Sequence, residues 1–350
     1  MKKLLCASPL ALLAACAGAP ERPQGIAATG DPARPVPAAV ETLVTTDPAV
    51  DADDPALWAN PRDPSRAVMF ATDKSDGLYV HDLDGKVRQF LPDGPLNNVD
   101  VRDGFMVDGK PYVLVAATER QRFGIVVYLF DPDSFAIRQH GFIELGADFG
   151  EPYGFCMGKQ GDDFLLIPNN KLGEARIYHL ANGQPTSAVK LARTVKVGSQ
   201  TEGCVVDDAR QQLYLGEEDV AIWRFDLASG ASDTPVQVAA IDDHRLTADV
   251  EGLTIMRDRG TNYLIASSQG DSTYPVWRIT GDSYAYVGRF AVHGGEIDDV
   301  TATDGLDAWS GPIGPFPEGA IAMHDDSDGN GQQNFKIVDW REVRRALALP

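Results

Sequence analysis

Carboxylates in this chain come in short strings beside turn residues: Asp53-Asp54-Pro55, Glu202-Gly203, Glu217-Glu218-Asp219, Asp249-Val250-Glu251-Gly252, Asp298-Asp299 and Asp304-Gly305. If loops gather such strings at one place, like charges raise each other's pKa and oppose folding unless cations sit among them. Oxygen-only ligands on loops select hard ions, and Ca²⁺ tolerates irregular geometry that Mg²⁺ does not. Any single pair is better read as solvated turn chemistry, because Asp and Gly are ordinary turn residues. The set as a whole points to metal. One further string, Asp326-Ser327-Asp328-Gly329-Asn330-Gly331, matches the first half of an EF-hand loop, but Ile337 stands where the bidentate Glu belongs. It reads as an Asp/Gly-rich loop, open to calcium or to none.

Other hydrolytic chemistries lack their residues. Cys204 and Arg210 have the C-x5-R spacing of cysteine-dependent phosphatases, yet Asp207 and Asp208 lie between them and would repel phosphate. Gln139-His140-Gly141 lacks the arginine of histidine acid phosphatases, and Ser267-Ser268-Gln269-Gly270 lacks the leading glycine of a nucleophile elbow. None of the six histidines has H-E-x-x-H spacing. Metal-assisted hydrolysis is what remains. The net charge of −20, from 51 acidic against 31 basic side chains, repels nucleic acid and anionic membrane. A polyanionic ligand would therefore need an intermediary cation, and no nucleic-acid partner is expected.

The elements that must position these residues are strands. Short β-rich runs such as Ala67–Thr72, Tyr112–Ala117, Phe164–Ile167, Leu213–Gly216 and Tyr263–Ser267 are separated by Gly, Pro, Asp and Asn clusters. An aliphatic-aromatic strand recurs around Tyr79, Tyr128, Tyr178, Trp223 and Trp277, at separations of 49, 50, 45 and 54 residues, with Trp340 a candidate sixth. A period near 50 with several strands per period is the pattern of a β-propeller of five or six blades; an irregular β-sandwich array is the blander reading. The one expected helix is Arg341–Leu347.

At the N-terminus, Met1-Lys2-Lys3 and the apolar run Leu4 to Ala15 form an export leader. Leu13-Ala14-Ala15-Cys16 resembles a lipobox, so residues 1–16 are expected to be a lipoprotein-type signal with Cys16 as a lipid anchor at the bacterial cell envelope. The other reading is an ordinary signal cut nearby and a secreted product. Ala/Pro/Gly-rich residues 17–40 are expected to be a flexible tether, with the folded domain over 41–350. No interior stretch of eighteen apolar residues is present to span a bilayer. Outside the leader only Cys156 and Cys204 remain; they could pair, but are better read as small buried apolar residues.

Ordered strings then give a specific likeness. Asp53-Asp54-Pro55-Ala56-Leu57-Trp58, Leu96-Asn97-Asn98-Val99-Asp100, Tyr153-Gly154-Phe155 and Ser199-Gln200-Thr201-Glu202-Gly203 resemble the β-propeller phytases. So do Glu217-Glu218-Asp219-Val220-Ala221-Ile222-Trp223, Asp249-Val250-Glu251-Gly252-Leu253, Ala266-Ser267-Ser268-Gln269-Gly270 and Asn334-Phe335-Lys336. The resemblance implies an all-β, six-bladed β-propeller that hydrolyses phosphate monoesters of phytate (myo-inositol hexakisphosphate). It implies several Ca²⁺ ions, attack by calcium-activated water and a calcium–phytate complex as substrate; a monomer is expected, though nothing in the sequence decides the oligomeric state. By similarity, Asp54, Tyr153, Glu202, Glu218, Asp249, Glu251 and Gln269 match positions around catalytic calciums, while Asp53, Asn97, Asp304 and Asp325 match other calcium positions. Lys74, Arg120 and Lys171 match residues that grip phosphate beside Tyr153, and with Glu202 they would carry catalysis. Two departures touch affinity and pH optimum: Ser75 stands where the family commonly has a second lysine, and Leu172 where it has an acid. A propeller acting on a lactone or phosphodiester, and a non-catalytic binding module, are the other classes consistent with these residues.

Overall fold

The computed structural model describes residues 30–42, 51–242, 244–326 and 333–350. The leader, Cys16 and residues 327–331 of the EF-hand-like string lie outside the described residues.

Among the described residues six sheets follow one another along the chain, antiparallel apart from one added N-terminal strand. The first blade comprises Ala52–Asn60, Asp63–Asp73, Gly77–Asp82 and Val87–Leu91; the second Leu96–Val107, Lys110–Glu119, Gly124–Phe130 and Ile137–Glu144. The third comprises Pro152–Gln160, Asp163–Asn170, Glu174–Leu180 and Lys190–Lys196; the fourth Thr201–Asp207, Gln212–Glu217, Ala221–Asp226 and Val236–Ala240. The fifth is built from Val250–Asp258, Thr261–Ser268, Tyr274–Thr280 and Ser283–Val292, and the sixth from Leu306–Ser310, Gly319–Asp325 and Asn334–Asp339. The first strand of each blade packs against the first strands of the two neighbouring blades, including Leu306–Ser310 against Ala52–Asn60, so the ring closes. This is a six-bladed β-propeller.

The strands are apolar on both faces because each blade is sandwiched between two others. Gly124–Phe130 is buried throughout. Its Val126, Tyr128 and Phe130 pack with Trp58 and Phe70 of the first blade, whereas Ile125, Val127 and Leu129 pack with Phe155 and Phe164 of the third. Period-2 alternation thus feeds two inter-blade cores from one strand.

Two expectations are corrected here. The tether does not run to residue 40: Arg34–Val36 adds to the fifth blade, parallel to Ser283–Val292, and Val40–Glu41 is the outermost strand of the sixth, antiparallel to Asn334–Asp339. Backbone hydrogen bonds from Ala39 to Ile337 and from Thr42 to Phe335 close the ring with N-terminal residues. Strands of three and two residues show no periodicity to read. Cys156 and Cys204 are buried as expected but are not free thiols; they form a disulfide. They lie on the adjacent first strands of the third and fourth blades, at similar depth, a proximity set by ring closure rather than by local pattern. Closing a loop of 48 residues, it limits the unfolded chain by about 4 kcal/mol in the chain-entropy account.

Among the described residues the single α-helix, Trp340–Ala346, is capped by the Asp339 side chain accepting from the Arg341 amide. Trp340 therefore follows the third strand of the sixth blade instead of lying in it.

Candidate active site

The strand order explains why separated residues meet. Asp53 and Asp54, Asn97, Tyr153, Glu202 and Glu251 stand at or near the N-terminal ends of the first strands of blades one to five, and Asp249 and Asp304 just precede the first strands of blades five and six. Second strands run the opposite way, so their C-terminal ends reach the same face. One residue beyond them come Lys74, Arg120, Lys171, Glu218 and Gln269, one from each of five blades. All these positions therefore converge on one mouth of the central channel.

The local backbone is specialised there. In blades one to five the register between first and second strands shifts near the site residue: between Ala52 and Pro55, Leu96 and Val99, Pro152 and Phe155, Thr201 and Cys204, and Val250 and Leu253. Bulges of this kind re-aim side chains away from the pleat. The glycines in Tyr153-Gly154 and Glu202-Gly203 permit close approach between blades. A Cβ on Gly154 would lie 1.8 Å from the Glu202 carbonyl oxygen, and one on Gly203 2.5 Å from that of Glu251.

At the centre, Glu202, Glu218 and Glu251 are all buried and offer oxygens within 4.8 Å of one another. Asn97 Nδ2 donates to Glu202 Oε1 at 2.6 Å, and Gln200 Nε2 to Glu218 Oε2 at 2.8 Å. Burial, then the charge of Asp53, pushes Glu202 up to about 8. Burial, opposed by the Gln200 hydrogen bond and reinforced by Asp249 and Asp219, pushes Glu218 up to about 7. Glu251 is raised by burial and then by Glu202, and Asp54 by burial and then by Asp53. Burial, followed by the charges of Asp219 and Asp304 among others, also raises Asp249. Tyr153 is raised by burial and then by the charges of Glu202, Glu251 and Glu218.

Cations flank the acids. Lys74 Nζ lies 3.0 Å from Asp53 Oδ1 and 3.1 Å from Asp304 Oδ2, and Gln269 Nε2 donates to Asp304 Oδ1 at 2.5 Å. Burial opposes the charge on Lys74, but Asp53, Asp304 and Asp51 outweigh it and hold its pKa above normal. Lys171 Nζ sits 4.4 Å from the Tyr153 ring centre and Arg120 Cζ 5.7 Å from it.

The donors suit a hard divalent ion. Glu218 Oε1, Glu251 Oε2, Asp53 Oδ2 and Asn97 Oδ1 are buried with no hydrogen-bond partner among the described residues. Buried oxygens are ordinarily satisfied, and three clustered carboxylates with raised pKa values need positive charge to ionise together. These are oxygen donors of the kind calcium takes.

The sequence model of the phytase family matches residues 3–349. The chain belongs to the phytase family. It is 37% identical over 324 residues to the 3-phytase of Bacillus subtilis (strain 168), covering 86% of this chain and 84% of that relative. Membership makes it a phytase enzyme, and the resemblance read from the ordered strings is to this family. Among solved structures, the β-propeller domain of Cps50 (Swd1) from Myceliophteria thermophila superposes with a TM-score of 0.48 at 11% identity, covering 81% of this chain and 82% of that one.

Within this phytase-family chain, Asp325 stands apart from the central cluster. It faces Lys336, a fully buried ammonium that also meets Glu41 Oε1 and Asp298 Oδ1 at 3.1 Å and Asn334 Oδ1 at 3.2 Å. An internal cation therefore occupies the centre of this oxygen cage and ties the N-terminal strand Val40–Glu41 to the sixth blade. Replacing Lys336 with Met strands its acids; the expected loss is about 3–5 kcal/mol in denaturant unfolding, and a loss below about 1 kcal/mol refutes the tie. Sequence reading also passed over Glu151 and His324. Glu151 lies between Arg120 and Lys171, and His324 Nδ1 accepts from the Asp304 amide. Neither lies in an acidic string or motif, so only the fold brings them forward.

Proposed function

We propose that this protein hydrolyses phosphate monoesters of phytate, with Ca²⁺ held at the channel mouth. One observation carries the reading: a buried group of under-satisfied carboxylates shares that mouth with Lys74, Arg120 and Lys171. Glu202, Glu218 and Glu251 would hold the metal centrally, with Asp54, Asp249, Tyr153 and Gln269 around them and Asp53, Asn97 and Asp304 at its edge. Bound calcium would supply Lewis acidity, drawing charge from phosphate oxygens and acidifying the water that attacks phosphorus. The chain's own cations do the rest of the binding. Arg120 presents a planar fork suited to two phosphate oxygens, and Lys171 a compact charge beside it. Lys74 holds Asp53 and Asp304 in place and adds positive charge where the equatorial oxygens become crowded with electrons. Tyr153 gives Arg120 and Lys171 an apolar floor that fixes their heads.

Export belongs to the same proposal. The Cys156–Cys204 disulfide persists in an oxidising compartment, which agrees with the leader-like start and with anchoring through Cys16.

A substrate panel at saturating calcium tests the activity. Phosphate release from phytate should exceed turnover of lactones and nitrophenyl phosphodiesters by about 100-fold or more in kcat/KM, a margin of about 3 kcal/mol. Equal or better turnover of either competitor class would remove phytate as the substrate.

A further inference from the structure

Glu151 has no place in the metal cluster, yet it contacts two of the three cations assigned to phosphate. Its Oε1 accepts from Arg120 Nη2 at 2.6 Å and from Arg120 Nε at 2.8 Å. The same oxygen lies 3.6 Å from Lys171 Nζ. Both cations lie over one face-forming side chain, Tyr153. The side chains of Arg120, Lys171 and Glu151 are 27%, 38% and 35% exposed, so the trio is open to a ligand from solvent.

We propose that Glu151 is a positioning residue that stands in for a phosphate oxygen, holding Arg120 and Lys171 as one preformed fork and competing with phosphate for it. The inference rests on the reading above, in which those two cations bind phosphate. Two like charges side by side repel each other, and an isolated pair would swing apart when no anion is bound. A carboxylate oxygen shared by both heads keeps them together between turnovers, which spares the substrate the ordering cost. The same contact weakens the fork's hold on any single phosphate, because the entering anion must displace Glu151 or share the cations with it. Free phosphate, with one group to offer, suffers most from that competition. A substrate with several phosphates recovers the difference through its other contacts. Glu151 thus biases the site toward polyphosphorylated substrate and toward release of inorganic phosphate.

An exposed ion pair with only a structural role would leave inhibition constants where they were. Glu151→Gln keeps the shape and removes the competing charge. Its Ki for inorganic phosphate, measured as a competitive inhibitor of phytate hydrolysis, should fall about tenfold, with KM for phytate falling less and kcat falling as product leaves more slowly. Glu151→Asp should return Ki toward the parent value. An unchanged or higher Ki in Glu151→Gln overturns the proposal. Lys171→Ala separates the two levels of argument: its Ki should rise about tenfold. If Ki is unmoved in Lys171→Ala as well, it is the phosphate-binding reading that fails. If Ki rises in Lys171→Ala but stays put in Glu151→Gln, the role of Glu151 alone falls.

Discussion

Stripping divalent cations with a strong chelator should end phosphate release from phytate and lower the melting temperature by about 6 °C, and added calcium should restore both. The stability half follows from the burial of Glu202, Glu218 and Glu251: burial raises all three, neighbouring aspartates add to it at Glu202 and Glu218, and the other two glutamates add to it at Glu251. Lys74 eases the charge on Glu202 and Lys171 that on Glu218, but burial outweighs both. A site filled at a thousand times its Kd adds about 4 kcal/mol, and at about 2.1 cal/mol/K per residue each kcal/mol moves the melting point of a domain this long by about 1.5 °C. The activity half follows because no nucleophile, zinc motif or cysteine–arginine loop stands ready to replace the metal. Lys336 supplies an internal control: its cage already holds a cation, so the loss in Lys336→Met should not depend on calcium. A chelated protein that keeps both its rate and its melting point would dispose of the metal.

How much of this was visible in the amino-acid order depends on whether the signal was local. Tyr79, Tyr128, Tyr178, Trp223 and Trp277 fall in the third strands of five successive blades, so their spacing reported the repeat directly. The acid-glycine strings were legible for a related reason. Glu202-Gly203 and Glu251-Gly252 sit where a first strand bulges, and Gly154 and Gly203 are needed for the next blade to approach. Long-range facts were not legible. Whether Cys156 reaches Cys204 depends on two first strands lying side by side, which the ring decides. The short strands Arg34–Val36 and Val40–Glu41 cover outer edges of the fifth and sixth blades, edges that only the folded blades present. Asp325 looked like the other acids in the sequence; only burial against Lys336 shows that its counter-charge is already present. Glu151 was invisible because its importance lies in two partners that are distant in the chain.

Replacing Glu202 with Gln should lower turnover of phytate by about 10²–10³-fold while raising the stability of the chelated protein by about 1–2 kcal/mol. The two signs come from one cause. Glu202 is only 3% exposed and shares its surroundings with Glu251 and Glu218, so its ionised form is costly to the fold. Glutamine fits the same volume: its carbonyl oxygen can still accept from Asn97 Nδ2, and its amide can donate to an ionised Glu251, which an ionised Glu202 would repel. Relief of that repulsion stabilises the metal-free state. The same change removes an anionic oxygen from the group proposed to hold the metal, and with it part of the charge balance the reaction needs. A purely architectural glutamate would give the opposite pairing, with rate and stability falling together as packing failed. A normal rate would take Glu202 out of the site; a parallel loss of both would make it a structural residue, because only a group retained for chemistry at the expense of the fold improves one quantity by surrendering the other.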